Sequence, residues 1–125
     1  MTTPHPTGIV LFAHGSRDPL WHRPIEAVAA HMRLLTPQTL VVCAYLELST
    51  PDLPAAVADL VAQGARAVRI VPMFLGVGRH AREDLPALVH SLRVKYHHIP
   101  ILLQDAVGEN PRLVELLAHI ALDSA

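Results

Sequence analysis

Two histidines and a glutamate stand where a metal ion could be handled. His14 opens the segment His14-Gly15-Ser16-Arg17-Asp18, Glu47 follows an apolar run, and His80 closes Phe74-Leu75-Gly76-Val77-Gly78-Arg79-His80. Two imidazoles with one carboxylate, and coordination positions left open, suit a borderline divalent metal held for chemistry rather than for structure. Each residue also has an ordinary reading. A histidine after a strand often caps or satisfies backbone, and Glu47 could cap the next helix or pair with an arginine. Gly76 and Gly78 are best read as backbone freedom for their loop. They are not a dinucleotide fingerprint, because Ala81 stands where the third glycine belongs.

Convergence of the three depends on the elements that carry them. Gly8 to Ala13, Leu40 to Leu46, Ala67 to Pro72 and Ile99 to Leu103 are apolar runs of strand length. Between them lie helical patterns. Pro24 to Leu35 carries Ile25, Val28, Ala29 and Met32, and Pro51 to Gln63 carries Leu53, Ala56, Val57, Leu60 and Val61 before a stop at Gly64. A loop from Met73 to Ala81 leads into a helix with Leu85, Leu88, Val89 and Leu92. Asn110 and Pro111 signal a last helix with Leu113, Leu116, Leu117 and Ile120 facing inward.

The chain therefore reads as a single α/β domain of (βα)4 type, with a four-stranded parallel sheet and helices on both faces. In such a sheet His14, Glu47 and His80 all follow the carboxyl ends of strands, on one edge, with neighbouring strands about 4.8 Å apart. If the order is 2-1-3-4, the ligand crevice falls between strands 1 and 3. Residues 1–7 are expected to form a flexible tail outside the domain.

Bulk properties agree and exclude other classes. The 125 residues suffice for one domain with a real core, and 51% are hydrophobic against 17% charged. A formal charge of −1 argues against a nucleic-acid partner. No apolar run approaches the roughly 20 residues that cross a bilayer, and the first residues lack the pattern of a secretory signal. The one cysteine, Cys43, permits no intrachain disulfide and reads as a small core residue; a cytoplasmic location is expected.

The strings Ala13-His14-Gly15-Ser16-Arg17-Asp18, Leu46-Glu47 and Pro72-Met73-Phe74-Leu75-Gly76-Val77-Gly78-Arg79-His80, with Asp84 and Pro86, resemble the small CbiX-type cobaltochelatases. These are class II tetrapyrrole chelatases, related to the siroheme ferrochelatases, and the similarity runs from Ile9 to about Leu117. It implies that His14 and His80 bind the metal and serve the proton transfers as catalytic residues, with Glu47 in the same metal site. It implies sirohydrochlorin as the macrocycle and Co2+ as the metal substrate, with Fe2+ or Ni2+ as alternatives and no organic cofactor. Longer members are similar to two such halves fused across a cleft, so a chain of this length is expected to work as a homodimer.

Metal insertion removes two pyrrole N–H protons, and imidazole, with an ordinary pKa of about 6.5, can accept them near neutrality. The carboxylates of sirohydrochlorin call for cations and N–H donors. Arg17, Arg79 and Arg82 beside the histidine motifs are the substrate-binding candidates, although each could be a solvated surface charge. Ser16 could donate to a carboxylate or simply cap its turn, and His22 could approach the cleft. Three other readings remain: a hydrolase using Ser16, which lacks the G-x-S-x-G elbow, a metal or tetrapyrrole carrier without turnover, and a protein that shares only the flavodoxin-like scaffold.

Overall fold

Strands covered on both faces favour apolar residues, and the chain supplies four mainly apolar runs, with Arg69 in the third as the one charged residue among them. The computed structural model describes residues 6–123, and of His80 the backbone alone. The strands are β1 (Thr7–Ala13), β2 (Leu40–Tyr45), β3 (Ala67–Pro72) and β4 (Ile101–Leu103). The helices are α1 (Arg23–Leu35), α2 (Leu53–Ala62), α3 (Arg79–Lys95) and α4 (Pro111–Leu122), with short 3-10 turns at Pro19–His22 and Val107–Glu109. The sheet has the order β2-β1-β3-β4 and is parallel throughout. Ala13 pairs with Tyr45 and Phe12 with Pro72, so the carboxyl ends of the three longer strands come level.

Side chains alternate across the sheet, and the two faces differ in cover. On one face Val10, Phe12, Ala44, Val68 and Ile70 meet Leu53, Ala56, Val57 and Leu60 of α2 and Leu85, Val89 and Leu92 of α3. Phe12, Leu60 and Ile70 are completely buried there. On the other face Leu11, Val41 and Tyr45 lie under Ile25 and Ala29 of α1. That helix covers the β1–β2 half alone. Over β3 and β4, Val71 and Met73 are partly buried, and Leu102 is 52% exposed.

The described structure alters three sequence-based expectations. Of the expected tail, Thr7 already belongs to β1 and the Pro6 carbonyl accepts from the Arg66 N–H at 2.9 Å, while residues 1–5 lie outside the described residues. The third helix starts at Arg79, so His80 belongs to its first turn and not to the preceding loop. The largest difference is α4. Asn110 caps it as expected, accepting from the Arg112 N–H at 2.9 Å. Yet among the described residues none of its side chains is buried, and Leu116, Leu117 and Ile120 point away from the core, with Ile120 58% exposed. Periodicity identifies an amphipathic face but does not specify what covers it.

The larger core half carries the stability. Leu60→Ala should cost about 2–5 kcal/mol, the range for emptying a fully packed leucine site. A urea titration would show the loss as a lower midpoint at unchanged slope.

Candidate functional site

Parallel pairing does not stop where the strands stop. The Leu46 N–H donates to the Ala13 carbonyl at 2.8 Å, and the Glu47 N–H donates to the His14 carbonyl at 3.0 Å. His14 and Glu47 are thus backbone neighbours at the carboxyl edge, as the sequence predicted. Past them the two chains turn together. Gly15 has φ +89°, and a Cβ there would run into the Glu47 carbonyl oxygen, so only glycine fits this approach. Opposite it Leu48 adopts φ 61°, a left-handed backbone that is rare for a leucine.

Beyond the turn, the Ser49 hydroxyl takes over the pairing. It donates to the Ser16 carbonyl at 2.7 Å and accepts from the Ser16 N–H at 3.1 Å. His22 Nε2 lies 2.9 Å from the same oxygen, and the His22 ring stacks on Tyr45 at 4.5 Å. The Ser16 hydroxyl accepts from the Asp18 N–H at 3.0 Å, and Asp18 caps the following 3-10 turn through the Leu20 N–H at 2.9 Å. Ser16 therefore builds its own turn, which was one of its two sequence readings.

The end of β3 supplies a floor. The His14 ring rests on Phe74 with centroids 4.3 Å apart, while Phe74 is buried and meets Phe12 edge-on at 6.1 Å. His14 itself is exposed, and among the described residues no hydrogen bond engages its ring nitrogens. Beside it opens a mainly apolar cavity of about 300 Å³, walled by Ala13, Trp21, Val28 and Met73. Trp21, the single tryptophan, is 70% exposed at its mouth.

The backbone brings His80 into the first turn of α3, immediately after the Gly78 cap; its side chain lies outside the described residues. Among the described residues, no three His, Cys, Asp or Glu side chains form a metal-sized group. Arg79 pairs with Glu83 at 3.1 Å, one turn along α3, and both are exposed. Such a pair is weak and easily exchanged. Arg17 and Arg82 are exposed. Cys43 sits half-buried under α1 with its thiol 3.8 Å from the Ile25 carbonyl. Burial, reinforced by Glu26 and partly opposed by Arg33, pushes the thiol pKa up and keeps it protonated.

Sequence reading found the histidines and the glutamate but assigned no role to Ser49, Phe74 or Trp21. The first two stand within the quoted motifs or beside them, and only the loop pairing reveals what they do. Gly15→Ala tests that pairing. It should destabilise the fold by about 1–3 kcal/mol through strain at a left-handed position. It should also remove hydrogen-exchange protection from the Glu47 amide.

Comparison with known proteins extends the geometry to a family. The CbiX family model matches residues 8–123. The sirohydrochlorin cobaltochelatase of Saccharolobus solfataricus is 29% identical over 116 residues, covering 88% of this chain and 89% of that protein. The sirohydrochlorin cobaltochelatase of Methanococcus aeolicus is 30% identical over 89 residues, covering 71% of this chain and 62% of its own. Among solved structures, the cobalamin (vitamin B12) biosynthesis CbiX protein from Marinobacter aquaeolei has a TM-score of 0.79 at 34% identity, over 93% of this chain and 94% of its own. The sirohydrochlorin chelatase SirB from Bacillus subtilis subspecies spizizenii, in complex with cobalt, shares the fold with a TM-score of 0.77 at 24% identity, over 91% of this chain. This chain spans 49% of that one. With one family model covering it from the first strand through the last helix, the chain belongs to the CbiX family.

Proposed function

We propose that this chain is a sirohydrochlorin cobaltochelatase of cobalamin biosynthesis, inserting Co2+ into the macrocycle. One observation carries the reading: backbone pairing past the sheet end fixes His14 beside Glu47, on the edge where the first turn of α3 carries His80. His14, Glu47 and His80 hold the metal in an open nitrogen and oxygen set that can release it. The macrocycle gives up two N–H protons as the metal enters, and His14 and His80 accept them. Thiolates would grip the ion harder, and the protonated Cys43 under α1 leaves the site free of them. The names of the curated relatives support both the macrocycle and the metal.

Arg17, Arg79 and Arg82 are assigned to the macrocycle's carboxylates, as is Ser16, whose oxygen accepts the Asp18 N–H and whose hydroxyl hydrogen stays free to donate. Arg79 can leave its solvent-exposed partner Glu83 for a substrate carboxylate at little cost. The apolar wall of Trp21, Val28 and Met73 beside His14 suits the macrocycle's face. A single unpaired cysteine fits a reducing cytoplasm.

The working form is a homodimer. The chain exposes an amphipathic helix, α4, and a half-covered sheet face over β3 and β4. The two match in length: a 12-residue helix spans about 18 Å, and a strand of six residues about 20 Å. A second copy would cover both at once in a two-fold arrangement, because each copy offers the same pair of surfaces. Relatives about twice as long, such as SirB, fit a cleft built from two such units.

The test is anaerobic incubation with sirohydrochlorin and Co2+, Fe2+ or Ni2+, following the absorbance change on insertion. Turnover above the spontaneous rate is expected, fastest with Co2+. His14→Ala and His80→Ala should each lower it by about 100-fold or more, the scale of lost proton transfer. Tight binding of macrocycle or metal with no turnover would make the protein a carrier instead.

Light scattering on a sizing column should give twice the 13.6 kDa chain mass. Leu117→Glu with Ile120→Glu should give a folded monomer with little turnover. A monomeric wild type at full activity would remove the dimer from the mechanism.

A further inference from the structure

Ser49 makes the connection that ends the β1–β2 pairing, and it does so with a side chain. A hydroxyl has one hydrogen and two acceptor sites. The hydrogen must go to the Ser16 carbonyl, 2.7 Å away, because a carbonyl can only accept. One acceptor site takes the Ser16 N–H at 3.1 Å. The other faces His22 Nε2 at 2.9 Å, so that nitrogen must carry a proton and donate. Every capacity of the hydroxyl is used, and the His22 tautomer is set by that count. Stacking on Tyr45, a buried residue of β2, holds the imidazole in place.

The arrangement spans the site. Ser16 lies two residues beyond His14, and Ser49 two beyond Glu47. Between them Gly15 and Leu48 both have left-handed backbones, free for the glycine but costly for the leucine, which keeps its own only because the surroundings over-determine it. The Glu47–His14 backbone bond lies on the sheet side of this strained turn, and the Ser49 hydroxyl clamps its outer side. The Ser16 and Asp18 side chains bond within their own loop, to the Asp18 and Leu20 N–H groups. Among the described residues, the His22–Ser49 pair is therefore the side-chain bridge between the two loops at this point.

We propose that Ser49, oriented by the His22 Nε2–H, is a positioning residue that locks the His14 loop to the Glu47 loop and so sets the spacing of the two metal-handling side chains. The inference rests on the chelatase reading of that site. Neither residue is given a metal-ligand role; His22 lines the cavity beside His14, and Ser49 stands behind it. They act as partners behind metal ligands do, whose loss typically lowers metal affinity or activity by about 10- to 100-fold.

Four variants separate positioning from simple stability. Ser49→Ala should lower kcat by about 10- to 100-fold with KM for sirohydrochlorin nearly unchanged, and should unprotect the Ser16 amide in hydrogen exchange. His22→Phe keeps a ring on Tyr45 but has no donor, and it should reproduce that loss. His22→Gln, which returns an N–H at similar reach, should recover most of it. The pair Ser49→Ala/His22→Phe should be no worse than Ser49→Ala, because both remove one device.

Co2+ affinity measured by calorimetry should fall in the same order without needing turnover. An inactive wild type would therefore overturn the chelatase reading alone, while an unchanged Co2+ affinity in Ser49→Ala would overturn the positioning role. Multiplying losses in the double variant, or no recovery with His22→Gln, would overturn it as well.

Discussion

The site depends on the pairing of β1 with β2, and on that pairing outlasting the strands. Six residues of each strand are in register, from Gly8 with Leu40 to Ala13 with Tyr45. The ladder then continues through Leu46, which still packs against the core, to Glu47, which is exposed. Within the sheet, burial and backbone hydrogen bonds reinforce one another. Beyond it, hydrogen bonds alone must hold two polar loops against water, and each contributes only about 1 kcal/mol net. That is why the loops need glycine at the close approach and a side-chain clamp at the end. The same constraint explains why His14 leans on Phe74: a ring fixed by one aromatic contact is placed without engaging its nitrogens.

The sheet's two faces divide the labour. The face under α2 and α3 holds the completely buried Phe12, Leu60 and Ile70 and accounts for most of the apolar burial. The face under α1 is finished over β1 and β2 and open over β3 and β4. A 125-residue chain that leaves both a sheet half and a whole helix to solvent forgoes burial that its sequence was patterned to make. Large exposed apolar patches mark surfaces open to covering, and the proposed second copy would cover helix and sheet together.

Much of this was legible in the residues. Four strand-sized apolar runs and the helices between them gave the alternating architecture, and β3 was bounded to the residue at Ala67 and Pro72. The placement of His14 and Glu47 at one edge came from parallel topology, because consecutive strand ends in such a sheet cannot be far apart. The errors have physical causes too. Helical periodicity marks Leu113, Leu116, Leu117 and Ile120 as one face, but a period carries no information about whether the matching surface belongs to the same molecule. Ser49 was invisible because its role depends on three partners, two in Ser16 and one in His22, at sequence separations of 33 and 27. Membership of the CbiX family fixes the architecture these residues sit in, while their roles rest on the local geometry.

Association and site geometry meet in one loop. The turn before α4 is pressed against the chain after β3: the Gly108 N–H donates to the Phe74 carbonyl at 2.9 Å. A Cβ on Gly108 would strike the Leu75 backbone, so no larger residue permits this approach. The root of α4 is thereby fixed to Phe74, whose ring carries His14. A second copy gripping α4, as proposed, would pull on a segment one residue from Phe74, the floor under His14. The helix that buries no side chain among the described residues is thus anchored at the place where pairing of two chains would be felt by the chemistry.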